Sequence, residues 1–196
     1  MKISIIGNIG AGKTTVIRKL HDGTRLPVFL EPVDEWKDWL NLFYTDFRRW
    51  SLSFNLKVLM SFNKWKGINC TALYERSPMC CKMVFTELQK LDGSMSDMEL
   101  SLFEEIYEQV HWEPDVLIYL RADPEVCMQR MQQRGRECEN GVSLEYLEKV
   151  HNQYEKMIEY AVLKNIKVIV IDANKGNDDV YQEAIKHVQN IRIQKS

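Results

Sequence analysis

Along this chain, short runs in which almost every position is apolar alternate with longer segments in which apolar residues return every three to four positions. The short runs cover residues 2–7, 28–31, 72–75, 116–120 and 168–172. Near-continuous apolar runs suit strands covered on both faces rather than strands with one wet side. Helical periodicity marks residues 13–20, 44–66, 82–91, 97–110, 125–133, 144–164 and 179–193. The clearest case is 97–110, where Leu100, Phe103, Ile106, Tyr107 and Val110 form a stripe behind Asp97, a residue suited to capping. Strands separated by helices imply β-α-β units and a parallel sheet, and right-handed crossovers place helices on both of its faces. The expectation is an α/β fold whose five apolar runs form a parallel sheet with helices on both faces. No repeat, low-complexity block or Pro/Ser-rich linker interrupts the pattern, so residues 1–196 are read as one domain.

Composition narrows the function classes. Apolar residues make up 45% and charged residues 28% of the 196 positions, which is ordinary globular usage. The net charge is −2, from 26 basic and 28 acidic residues. Nucleic-acid binders usually carry a basic excess, so no such partner is expected, and any anion is held locally. No apolar run reaches the roughly 18 residues needed to span a bilayer. The first apolar stretch is strand-like and runs straight into glycines, unlike a secretory leader. A cytoplasmic protein without membrane contact is expected. The five cysteines, Cys70, Cys80, Cys81, Cys127 and Cys138, contain no CxxC spacing, which favours reduced thiols over a zinc cage or disulfide scaffold.

Chemistry is most legible after the first strand. Gly7, Asn8, Ile9, Gly10, Ala11, Gly12, Lys13 and Thr14 fit the pattern GxxxxGK(S/T), followed by Thr15, between a strand and a helix. Glycines permit dihedrals that turn successive N–H groups inward around a phosphate, and the helix start adds its positive end. Lys13 supplies a charge for the β- and γ-phosphates, and the Thr14 hydroxyl is placed for Mg²⁺. A nucleoside triphosphate such as ATP, with Mg²⁺, is the expected ligand, on a P-loop NTPase-type fold.

Ligands of open α/β sheets sit beyond the carboxyl ends of the strands. There the chain carries Glu31-Pro32-Val33 after the second run and Glu75-Arg76-Ser77-Pro78 after the third. Two carboxylates and an arginine at a phosphate-binding edge fit phosphoryl transfer. Arg130 and Arg134 share a helix face, Arg136 follows, and a loop comes next; a lid over about 130–141 can bring such arginines onto a transferring phosphoryl group. A guanine-reading switch protein fits less well. Asn63-Lys64-Trp65-Lys66 lacks the required Asp and lies in a helical segment.

These motifs resemble the deoxyribonucleoside kinase family. The likeness rests on the glycine loop, on Glu31-Pro-Val-x-x-Trp36, on Glu75-Arg-Ser77, on Arg134-Gly-Arg-x-x-Glu139 and on the run from Leu144 to Lys149. It implies a doubly wound sheet of five parallel strands and transfer of the γ-phosphoryl of ATP to the 5′-hydroxyl of a deoxynucleoside in nucleotide salvage, usually by a homodimer. On the same basis Glu31 is the general base, Arg76 holds the reacting oxygens and Glu75 stands at the metal. Trp36 and Phe85 frame the base. Tyr44 and Glu139 hold the 3′-hydroxyl, and Arg130, Arg134 and Arg136 belong to the lid.

The chain also departs from that pattern. Where the family has a base-binding Gln, it has Asn55, one methylene shorter. Where deoxycytidine kinase has a charged pair near the base edge, it has Phe62 and Cys81. Loss of that polar discriminator shifts the expectation toward thymidine or broad pyrimidine use. The loop after the last strand, 173–177, lacks an aromatic for the donor base. The alternative is a nucleoside monophosphate kinase, which would need a further cation for the acceptor's phosphate; Arg48 and Arg49 are the candidates. A nucleotide-dependent switch is a third reading, and it leaves Glu31 and Arg76 without work.

Overall fold

The computed structural model describes residues 1–136, 139 and 141–193. Five strands, β1 (Lys2–Ile6), β2 (Val28–Phe29), β3 (Ala72–Glu75), β4 (Val116–Arg121) and β5 (Lys167–Asp172), pair in the order β2-β3-β1-β4-β5. Every pairing is parallel. The parallel sheet expected from the apolar runs, five-stranded and doubly wound as the family resemblance implies, is therefore present.

Side-chain alternation explains why those runs are apolar throughout. Ile3 and Ile5 of β1, with Val116, Ile118 and Leu120 of β4, face one core shared with α1 (Lys13–Thr24). Leu117 and Tyr119 of β4, with Ile6, face a second core on the other side of the sheet. A strand sealed on both faces has no position where a polar residue is favoured.

The helix expected over 44–66 is α3 (Phe47–Asn63), and before it lies a helix for which no element was expected, α2 (Val33–Thr45). The break falls at Asp46, which is extended and accepts a hydrogen bond from the Arg49 amide at 3.0 Å, capping α3. After β3 the chain enters a helical stretch of three parts: α4 (Pro78–Cys80), a π-helical turn (Cys81–Thr86) and α5 (Glu87–Leu91). Next comes α6 (Asp97–Val110), closed by a capping box in which Ser96 and Glu99 satisfy each other's backbone groups. The cap is thus Ser96, one residue before the expected Asp97.

Helix α7 (Pro124–Arg134), α8 (Leu144–Leu163) and α9 (Asn177–Ile193) complete the chain. Helices α1 and α9 cover one face of the sheet; α8 and the π-helical turn cover the other. Of the expected lid over 130–141, residues 137, 138 and 140 lie outside the described residues, Cys138 among them. Cys70, Cys80, Cys81 and Cys127 are free thiols. Among the described residues no helix is long and apolar enough to cross a membrane.

Candidate active site

Strand β1 is central and ends beside β3, with Ile5 in register with Glu75. This neighbouring places the glycine loop next to the Glu75-Arg76 corner. Loop and corner are one structure. The Thr14 hydroxyl donates to Glu75 Oε1 at 2.6 Å, and the Arg76 amide donates to the Ile5 carbonyl at 2.9 Å.

The loop's glycines have distinct jobs. Gly12 adopts φ 92° as the residue preceding α1, which has no side-chain cap and no acidic residue in its first turn. The helix N-terminal amides are thereby left for an anion. Gly10, at φ 83°, lies so close to α7 that an added Cβ would meet the Cys127 carbonyl oxygen at 2.3 Å. Asn8 stitches the loop together: its Oδ1 accepts from the Ile9 amide, and its Nδ2 donates to the Leu147 carbonyl of α8, both at 2.8 Å. Ala11 is buried, whereas Thr15 faces solvent and Gly7 is sealed beneath the loop against the Leu120 carbonyl.

Lys13 is buried and donates to the Asn8 carbonyl at 2.7 Å. Its pKa is lowered to about 8, first by burial and then by the Arg76 charge; Glu31 and Glu75 oppose this only in part. Lys13 is thus a buried cation that the neighbouring carboxylates neutralise only in part.

Across the gap, Arg76 Nη1 donates to Glu31 Oε2 at 2.5 Å, with both side chains at most one-tenth exposed. Arg76 Nε donates to the hydroxyl of Tyr154, a fully buried residue of α8, at 2.9 Å. Burial works against the guanidinium's charge, but the Glu31 carboxylate more than compensates and holds its pKa above the usual value. The Arg76 backbone is left-handed, φ 61°, a conformation that costs a non-glycine residue about 1–3 kcal/mol. Strain of this kind persists because Ile5, Glu31 and Tyr154 all hold the residue.

The remaining expected residues divide. Phe85 lies against Arg76, with the guanidinium 5.0 Å from its ring centre. Trp36 is buried edge-on to Phe62, and its indole N–H is buried without a partner. Phe62 is core, packed with Trp36, Tyr74 and Trp112. Tyr44 ends α2, not the helix expected to begin with it, and packs between Phe43 and Phe47. Asn55 and Cys81 are buried and bonded to each other through the Cys81 thiol.

In the lid segment Arg134 clasps Glu139 through both carboxylate oxygens at 2.6 Å, and Arg136 approaches the same carboxylate at 3.5 Å. Arg130 is not grouped with them. Its two amino groups donate to the Ala173 and Lys175 carbonyls at 2.7 and 2.9 Å, bracing the loop after β5. Arg48 and Arg49 are exposed on the first turn of α3.

Three participants carried no signal in the sequence. Tyr154 reads as one more apolar member of the α8 stripe. Gln89, buried and bonded to Asn55, reads as a surface residue of a polar helix end. The Asn8–Leu147 tie joins positions too far apart for any local pattern to reveal.

The deoxynucleoside kinase family model matches residues 3–193. This chain belongs to the deoxynucleoside kinase family. The kinase has 34% identity over 177 residues to the putative kinase protein 029R of invertebrate iridescent virus 3, covering 88% of each chain. It has 31% identity over 194 residues to the mitochondrial thymidine kinase 2 of Macaca fascicularis, covering 92% of this chain and 73% of that one. Among solved structures, the deoxyadenosine kinase of M. mycoides superposes with a TM-score of 0.88 at 22% identity, over 97% of this chain and 100% of that one. The chain is therefore an ATP-dependent deoxynucleoside kinase.

Proposed function

We propose that this kinase moves the γ-phosphoryl of ATP to the 5′-hydroxyl of a pyrimidine deoxynucleoside, thymidine or deoxycytidine. The observation that carries the reading is the buried Glu31–Arg76 pair facing Lys13 and Glu75 across the end of the sheet. Glu31 orients the 5′-hydroxyl and accepts its proton late in the reaction. Arg76 and Lys13 stabilise charge on the transferring group, and most of the acceleration comes from that neutralisation and from alignment. Trp36 and Phe85 offer aromatic walls to a flat base. Tyr44 and Glu139 serve the sugar, and Glu139 is released for this when Arg134 and Arg136 exchange its carboxylate for phosphate oxygens. Uncharged Phe62 and Cys81 support a pocket without a cytosine-selecting charge, and the mitochondrial thymidine kinase among the relatives agrees with pyrimidine use.

Mg²⁺ belongs to the same reading. Thr14 Oγ1 and Glu75 Oε1, 2.6 Å apart, are adjacent hard oxygen donors of the kind this ion takes. Thr14 and Glu75 would hold it, and the ion would neutralise β- and γ-phosphate charge.

Phosphate transfer from ATP to thymidine, deoxycytidine, deoxyguanosine and deoxyadenosine, with thymidine monophosphate as a fifth acceptor, tests the proposal. Preference for the two pyrimidine nucleosides is expected. Preference for a purine nucleoside, or for the monophosphate, overturns it.

A further inference from the structure

Asn55 has no hydrogen-bonding capacity left for a ligand. Its Nδ2 donates to the Ser51 carbonyl at 2.8 Å and to Gln89 Oε1 at 2.5 Å. Its Oδ1 accepts from the Thr86 hydroxyl at 3.3 Å and from the Cys81 thiol at 3.7 Å. An amide side chain offers two donors and one oxygen with two lone pairs, so all four places are filled.

The orientation of this amide is also determined. The Ser51 carbonyl can only accept, so the nitrogen of Asn55 must face it. The other hydrogen of that nitrogen then requires an acceptor at Gln89, which fixes the Gln89 oxygen toward Asn55 and its NH₂ group away. The Gln89 nitrogen takes part in none of the hydrogen bonds of the described residues. It is also absent from their sealed, unpaired polar atoms, which are those of Ser4, Trp36, Tyr74 and His151. A residue only 4% exposed thus keeps an unpaired donor with an outlet.

Gln89 lies four residues beyond Phe85 in the same helical stretch, hence on the same face one turn on. Phe85 fronts the Arg76 guanidinium at 5.0 Å. The π-helical turn at Cys81–Thr86 lies immediately before α5 and contributes the thiol and hydroxyl that complete the shell of Asn55.

We infer that Gln89 reads the nucleobase. It presents an amide donor to a carbonyl oxygen or an unprotonated ring nitrogen of a base lying along Phe85. Asn55 is the positioning residue that locks the Gln89 amide with its donor outward. The assignment rests on the reading that the space beside Arg76 holds the acceptor nucleoside.

Gln89→Glu is the sharpest test, because one carboxylate oxygen can still accept from Asn55 while the other puts an acceptor where a donor stood. Gln89→Met removes the donor without adding charge. Steady-state kinetics on the full chain should show the KM for thymidine and deoxycytidine raised about tenfold or more in both variants, more in Glu than in Met, while the KM for ATP stays within about twofold. Unchanged nucleoside KM values in either folded variant, judged by its melting transition, overturn the role of Gln89 and leave the kinase reading intact. Wild-type protein that turns over no nucleoside overturns both.

Discussion

The two halves of the site are built by opposite means. On the ATP side the ligand-facing groups are mostly backbone amides, and the special residues are glycines at fixed spacing that let the chain turn inward and approach α7. On the proposed acceptor side they are side chains, Glu31, Arg76, Phe85 and Gln89, delivered from separate parts of the chain, and Glu31, Arg76 and Gln89 are held by side-chain partners. A site built from backbone depends on local dihedrals. A site built from side chains depends on who their neighbours are. The first tolerates almost no change at a few positions, and the second can be retuned one residue at a time without disturbing the sheet.

The contrast can be tested from both sides. Glu31→Gln keeps the shape of the side chain but removes the proton acceptor and the charge that holds Arg76. Its kcat should fall by at least about 10²-fold, roughly 2.7 kcal/mol, with the fold intact by circular dichroism. Retained turnover would reduce Glu31 to a structural partner of Arg76. Gly10→Ala should do the reverse and act on stability first. A positive φ costs about 1–3 kcal/mol for a residue with a side chain. Contact with the Cys127 carbonyl adds to that. A melting temperature equal to the wild type would show that the loop–α7 contact yields easily.

The smallest effect concerns pH. The Lys13 pKa of about 8 means that the folded chain loses this proton earlier than the unfolded chain does. Between that pH and the ordinary lysine value the unfolded state binds more protons, so stability without nucleotide rises with pH there. Nucleotide binding should run the other way. Bound phosphates favour the charged form, so affinity falls as pH climbs above about 8, by up to tenfold per unit, and Lys13 adds no slope below it. Calorimetric titration with ATP at several pH values measures this, and Lys13→Met should abolish the slope.

The same contrast explains what was legible in the sequence. The five strands and the glycine loop were visible because each imposes a local pattern: sealed strands must be apolar throughout, and an inward-turning loop needs glycines. Glu31 and Arg76 were visible as charges stranded at strand ends. Helix α2 was not, because it starts directly after Pro32 in a stretch legible only as the end of β2, and only the bond from the Arg49 amide to Asp46 marks where α3 begins. Arg130 looked like a lid residue by its spacing from Arg134. Its engagement with the loop after β5 depends on a strand more than forty residues away. Tyr154 and Gln89 were hidden for the same reason, since a buried residue of a helix shows nothing of the one polar atom it offers.

Helix α8 touches both halves. The Leu147 carbonyl receives Asn8 of the glycine loop, and Tyr154, two turns further along, receives Arg76. Seven residues of helix amount to about 10.5 Å of rise and return to nearly the same angular position. The helix therefore works as a gauge rod between phosphate donor and acceptor, with its two marks on one edge. One residue inserted between those marks would swing the second by about 100° and unseat Arg76 while leaving the glycine loop where it was.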